Sequence, residues 1–140
     1  MSFRDKSALV SIIALLAASV GYVVMLVTAA REDGVSYVDY QPFMIGFVVV
    51  LALVSIVGQV ALAISSPREA QAKADERERL IAWRSGSVRG YVLAVAAFVA
   101  ISLAMAEVPW FWIANAVLAL WVVAEIAGGL LSLRLSRTGV

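Results

Sequence analysis

The segment Ser65–Gly86, SSPREAQAKADERERLIAWRSG, decides how the rest of this chain is read. It is the one long polar stretch in an otherwise apolar sequence, and it separates two pairs of hydrophobic runs. It carries Arg68, Lys73, Arg77, Arg79 and Arg84, five of the eleven Lys and Arg residues. Short loops rich in Lys and Arg stay on the cytoplasmic side of a membrane, so this segment sets the orientation of both pairs.

Working outward, Pro42–Ser65 before it has 24 residues without a charge, and Ser7–Ala30 has 24 more. After it come Val88–Ala106, with Arg89 as its only charge, and Trp110–Leu133, which holds Asn115 and Glu125. A helix rises 1.5 Å per residue and crosses the bilayer in about 20, so each run is long enough to span. Thr28-Ala29-Ala30 has some likeness to a signal-peptidase site. The apolar run before it far exceeds the usual ~7–15 residues, and we read an uncleaved first helix.

Composition agrees on the solvent. Of 140 residues 63% are hydrophobic, with a mean hydropathy of +0.94, against about 45–50% in soluble domains. A formal net charge of +1 with no basic arm gives nothing to hold nucleic acid. Cysteine and histidine are both absent. That removes disulfides, Cys/His zinc sites, iron–sulfur ligation, His-bound haem and the Ser–His or Cys–His hydrolase pairs. We therefore expect a non-enzymatic chain with no catalytic residue, cofactor or metal.

The sequence thus predicts an all-α membrane protein, an antiparallel four-helix transmembrane bundle forming one domain over 1–140. Its spans are expected at about 7–30, 42–65, 88–106 and 110–133, with a cytoplasmic and interfacial helix over about 67–85. Ser66 and Glu69 have the spacing of a capping box with Pro67 at the first helical position. Glu69/Lys73 and Asp75/Arg79 are acid-first i,i+4 pairs, and Gly86 reads as the stop. Leu80-Ile81-Ala82-Trp83 is an apolar patch suited to the membrane surface. Two Lys/Arg residues precede the first span, six lie between the middle spans and two follow the last, leaving Arg31 alone on the other side. The expectation is a bacterial inner membrane protein with both termini cytoplasmic.

Helices in lipid associate through small residues. Candidate stripes are Ala14/Ala18 and Ala17/Gly21, Ala96/Ala100/Ala104, and Ala124/Gly128. Glu125 is the main candidate for chemistry, roughly 5 Å past the middle of its span at helical rise. An ionised acid there costs about 2.5–3.5 kcal/mol, so it should face the bundle or a wet cavity. Gln59, with Ser55 one turn before it, lies at a comparable depth on the second span. A Glu125–Gln59 hydrogen bond is expected, with Arg84 or Arg89 as cationic neighbours. Three roles stand open for Glu125: a polar pin between helices, a proton- or cation-coupling carboxylate, or a contact with a partner. Asn115 and Ser102 are expected to bond to each other in the outer half. The charged face Asp75, Glu76, Arg77, Glu78, Arg79 and Arg84 is either a solvated surface or a docking surface for a partner or anionic lipid.

The run Ala74-Asp75-Glu76-Arg77-Glu78-Arg79-Leu80-Ile81, followed by Arg84-Ser85 and a new span, resembles small four-span bacterial and archaeal membrane proteins of unknown function with a D-E-R-E motif between spans two and three. That resemblance implies the same four-span architecture and no activity. Four short spans are also similar to small multidrug exporters, which carry an essential Glu in the first span; Ser7–Ala30 has no acid. The expected partners are the bilayer and either further copies of this chain or a larger membrane complex. An accessory or regulatory subunit is the first expectation, and a small oligomeric transporter or channel using Glu125 the alternative.

Overall fold

The structure, a computed structural model, describes residues 3–33, 39–68 and 75–138, apart from the side chains of 32 and 33. Four helices account for nearly all of it: α1 (Phe3–Asp33), α2 (Gln41–Ser65), α3 (Glu76–Met105) and α4 (Trp110–Thr138). Each is long and apolar enough to cross a membrane, and together they make a multi-pass membrane protein.

Contacts between helices fix their directions. Ser7 meets Gln59 and Tyr22 meets Phe47, so α1 and α2 run oppositely. Tyr22 reaches Asn115 while Arg89 reaches Glu125, which sets α4 against both α1 and α3. This is the antiparallel four-helix bundle the sequence predicts. Its packing is uneven: α1 lies on α2 and on α4, and α4 on α3, while α2 and α3 share no comparable contact.

The core is small because lipid replaces water around it. Leu15, Ala18, Tyr22 and Phe47 form its buried centre, flanked by Leu118, Trp121 and Val122. Phe47 stands edge-on to both Tyr22 and Trp121 at centroid distances of 5.8 and 6.3 Å, the geometry aromatic quadrupoles favour. Of the small-residue stripes, Ala14/Ala18 and Ala124/Gly128 are buried between helices. Ala96 is buried too, but Ala104, Ala17 and Gly21 are exposed.

The largest departure from expectation is α3. A helix over 67–85 and a separate span over 88–106 were expected, with Gly86 between them. Instead one helix runs from Glu76 through Gly86 to Met105. Stopping at Gly86 would strip up to four carbonyls of their partners close to the bilayer. Keeping a glycine inside a helix costs only about 1 kcal/mol relative to alanine. Continuation wins. At 1.5 Å per residue α3 is about 45 Å long, some 15 Å more than the hydrocarbon core, so its first turns stand in the interface and in water.

The start of α3 also moves. Ser66, expected to open a helix, closes α2, its N–H donating to the carbonyl of Leu62 at 3.1 Å. Pro67 and Arg68 are helical, while Glu69, Lys73 and the rest of 69–74 lie outside the described residues, as do Gly34 and Tyr37. The capping box is instead Asp75 with Glu78. Asp75 Oδ1 accepts the Glu78 N–H at 2.7 Å, and Glu78 Oε2 accepts the Asp75 N–H at 3.3 Å. At the other end of α3, Val108 and Glu107 donate to the carbonyls of Leu103 and Ala104. That is a Schellman closure with Glu107 in the left-handed position at φ 55°.

Candidate functional site

Two sets of polar residues concern function, and both lie toward the end of the bundle where α1 begins and α4 finishes. The first is within the apolar zone. Arg89, on α3, extends along α4 past Gly128, and its Nε stands 3.1 Å from Glu125 Oε2. Gly128 makes this possible: a Cβ there would fall 2.5 Å from Arg89 Cγ and 2.6 Å from Nε. Gly128 and Glu125 are one helical turn apart, so one face of α4 supplies both the groove for the stem and the charge for the head. The Nε–H lacks hydrogen-bond alignment, and the contact is an ion pair. Each side chain keeps about a third of its surface open, 33% for Arg89 and 37% for Glu125.

Gln59 does not join them, correcting the expected Glu125–Gln59 pair. Its Oε1 accepts from Ser7 Oγ at 2.8 Å, and its Nε2 donates to Ser11 Oγ at 3.2 Å and to the Ser7 carbonyl at 3.3 Å. The amide is used to hold α1 on α2. Ser55 does share a cavity of about 430 Å³ with Glu125 and Arg89, walled elsewhere by Ser7, Ser11 and Trp121. Of the two cations suggested by sequence, Arg89 is the partner and Arg84 faces outward, exposed.

In the other half of the bundle Asn115 and Ser102 do not meet. Tyr22 Oη donates to Asn115 Oδ1 at 2.6 Å, and Asn115 Nδ2 donates to the Phe111 carbonyl. Ser102 donates to the Phe98 carbonyl of its own helix. The phenol of Tyr22 is the interhelical partner that sequence reading missed. Tyr22 is the one residue of span α1 with both an apolar ring and a polar tip, and that was its signal.

The second set is the D-E-R-E motif, whose residues divide between two faces of α3. Asp75 caps the helix. Glu78 closes the box and pairs with Arg4 of α1, Oε2 to Nε at 3.2 Å. Arg77 Nη2 donates to the carbonyls of Ser136 at 2.9 Å and Leu135 at 3.4 Å, in the last turn of α4. A cation there suits the negative end of the helix dipole. Two of the six residues expected to form a docking face, Arg77 and Glu78, thus tie α3 to α4 and α1, while Asp75 caps α3 itself. Glu76, Arg79 and Arg84 stay exposed along with Trp83, itself 70% exposed.

Chemically, these arrangements offer an ion pair in a cavity, a capped and tied helix, and an amphipathic outer face. Among the described residues no cluster of acids stands close enough to hold a metal ion. Comparison with protein-family models, curated proteins and solved structures gives no match.

Proposed function

We propose that this chain is a non-enzymatic subunit of the bacterial inner membrane, accessory or regulatory in kind, which engages a partner through the outer face of α3. The carrying observation is the division of labour on that helix. Glu78, Ile81, Ser85 and Arg89 are turned toward the other helices, while Glu76, Arg79, Leu80, Trp83 and Arg84 are exposed on one arc, with exposed Arg77 at its edge reaching the end of α4. A continuous helix joins that arc to the span below it. Both chain ends and the charged segment face the cytoplasm in this reading, as the distribution of Lys and Arg favours.

The test reverses the three outward charges together, Glu76→Lys, Arg79→Glu and Arg84→Glu, leaving Arg77 and Glu78 alone. The wild-type chain should co-purify in mild detergent with a stoichiometric partner or as a defined oligomer, and the triple variant should lose it while eluting as a folded bundle. A wild-type chain that purifies as a lone monomer would contradict the reading.

A second reading is favoured by one observation, that Glu125 lines a cavity beside its ion pair with Arg89. There the chain is a small homo-oligomeric transporter that couples a proton or cation through Glu125. Glu125→Gln would then abolish proton-linked flux in proteoliposomes, and unchanged flux would exclude it.

A further inference from the structure

The cavity at Glu125 is the deepest of three that adjoin. It shares Arg4 and Arg89 with a second cavity of about 200 Å³, bounded also by Ser85 and Ser132. That one shares Asp5, Glu78, Ile81 and Ser136 with a third of about 470 Å³, which reaches Asp75 and Arg137 at the end of the bundle. Three adjoining, half-open clefts therefore follow one another from the first turns of α3 to the middle of α4, the deepest with apolar walls at Ile12, Leu15 and Leu51 around its polar pair. Toward the opposite side the deepest cleft meets Leu15 and Trp121, which belong to the apolar centre. The two cavities on that far side, about 350 and 320 Å³, are bounded chiefly by apolar residues and have no wall residue in common with it.

The ion pair needs these clefts. Arg89 and Glu125 make one off-line contact with each other, which leaves most of their hydrogen-bonding capacity unused. In hydrocarbon each unsatisfied group would cost several kcal/mol. Water satisfies them at little cost, and the deepest cavity, about 430 Å³, has room for roughly a dozen waters at ~30 Å³ each. The lining suits water rather than a charged solute, because Arg4 is matched by Glu78 and Arg89 by Glu125.

We propose that the three cavities are continuous and hold water, a vestibule entered from the charged end of the bundle and ending at Trp121, so that water reaches Glu125 from one side only. The vestibule depends on neither functional reading, and its loss would leave the outer face of α3 untouched. It does exclude an open pore in this conformation.

A chain without cysteine makes the test direct. Single variants Ser132→Cys, Ser55→Cys and Ala8→Cys place a thiol in the second cavity and on two walls of the deepest. Ser102→Cys places one on the exposed lipid-facing side of α3. A charged, membrane-impermeant thiol reagent is added to either side of sealed vesicles. Because only the thiolate reacts and it forms only in contact with water, the three vestibule positions should label from one common side, at least ~10-fold faster than Ser102→Cys. A water-soluble carbodiimide with an amine should modify Glu125 from that same side. Two vestibule walls guard against one misfolded variant. Rates at 55 and 8 no faster than at 102, labelling from opposite sides, or Glu125 unmodified would each overturn the proposal.

Discussion

At Arg89 a long cationic side chain crosses a bare glycine to meet an acid one turn away, and each of the three residues needs the other two. Breaking an ion pair by removing one partner costs about 3–5 kcal/mol when both are fully buried, and we discount that to about 1–3 because each is a third exposed. Glu125→Gln should therefore lower the unfolding midpoint in detergent. The double change Arg89→Met with Glu125→Leu should restore it, since removing both charges removes the desolvation cost as well. A double variant as unstable as the single one would mean the pair does more than match charge. Gly128→Ala should be destabilising by about 1–3 kcal/mol, because the new methyl lands on the Arg89 stem. Gly129→Ala should cost a similar amount, because its methyl meets buried Ile12 at both Cδ1, 2.8 Å, and Cγ1, 2.9 Å, and a β-branched side chain is stiff at χ1. A Gly128→Ala loss that persists unchanged when Arg89 is also shortened to alanine would show that the groove over Gly128 is not specific to Arg89. The sequence made Glu125 conspicuous through the cost of its charge, and it offered Gln59, Arg84 and Arg89 as neighbours without separating them. Gln59 and Arg89 lie at similar depths, and only the rotation of α2 and α3 about their own axes separates them.

At the scale of the element, the spans were legible because about 20 uncharged residues have few other fates. The boundaries of α3 were not. Sequence reading put the cap at Ser66/Glu69 and missed Asp75/Glu78, which has the same spacing, and local chemistry alone ranks serine and aspartate equally. What distinguishes Asp75 is tertiary: a start at that point carries Arg77 to the end of α4 and Glu78 to Arg4. The turn between α3 and α4 gives its own prediction. Glu107 holds φ 55°, where a side chain costs about 1 kcal/mol and glycine almost nothing. Glu107→Gly should raise the unfolding midpoint, whereas a fall would mean that the Glu107 side chain stabilises the turn. On α2, Gly58 faces Val10 Cγ1 at what would be 2.6 Å from a Cβ. Valine is stiff at χ1, so Gly58→Ala should destabilise by about 1–3 kcal/mol. An unchanged unfolding midpoint would mean that α1 and α2 can part at this point without loss.

At the scale of the molecule, the bundle is tied at one end and looser between α2 and α3. The tie consists of Arg4 with Glu78 and Arg77 with the last turn of α4, and the same end carries nine of the ten described Lys and Arg residues. Charge placement made the common side legible from sequence; the helix neighbours were not, because lipid-facing and helix-facing surfaces are equally apolar. The account rests on that shared side. Its most direct test places single cysteines at Asp39, between α1 and α2, and at Arg79, on the charged turns of α3, and exposes intact expressing cells to an impermeant thiol reagent. Asp39→Cys should label at once and Arg79→Cys only after the membrane is permeabilised. Labelling of Arg79→Cys in intact cells, or of both positions from one side, would contradict it.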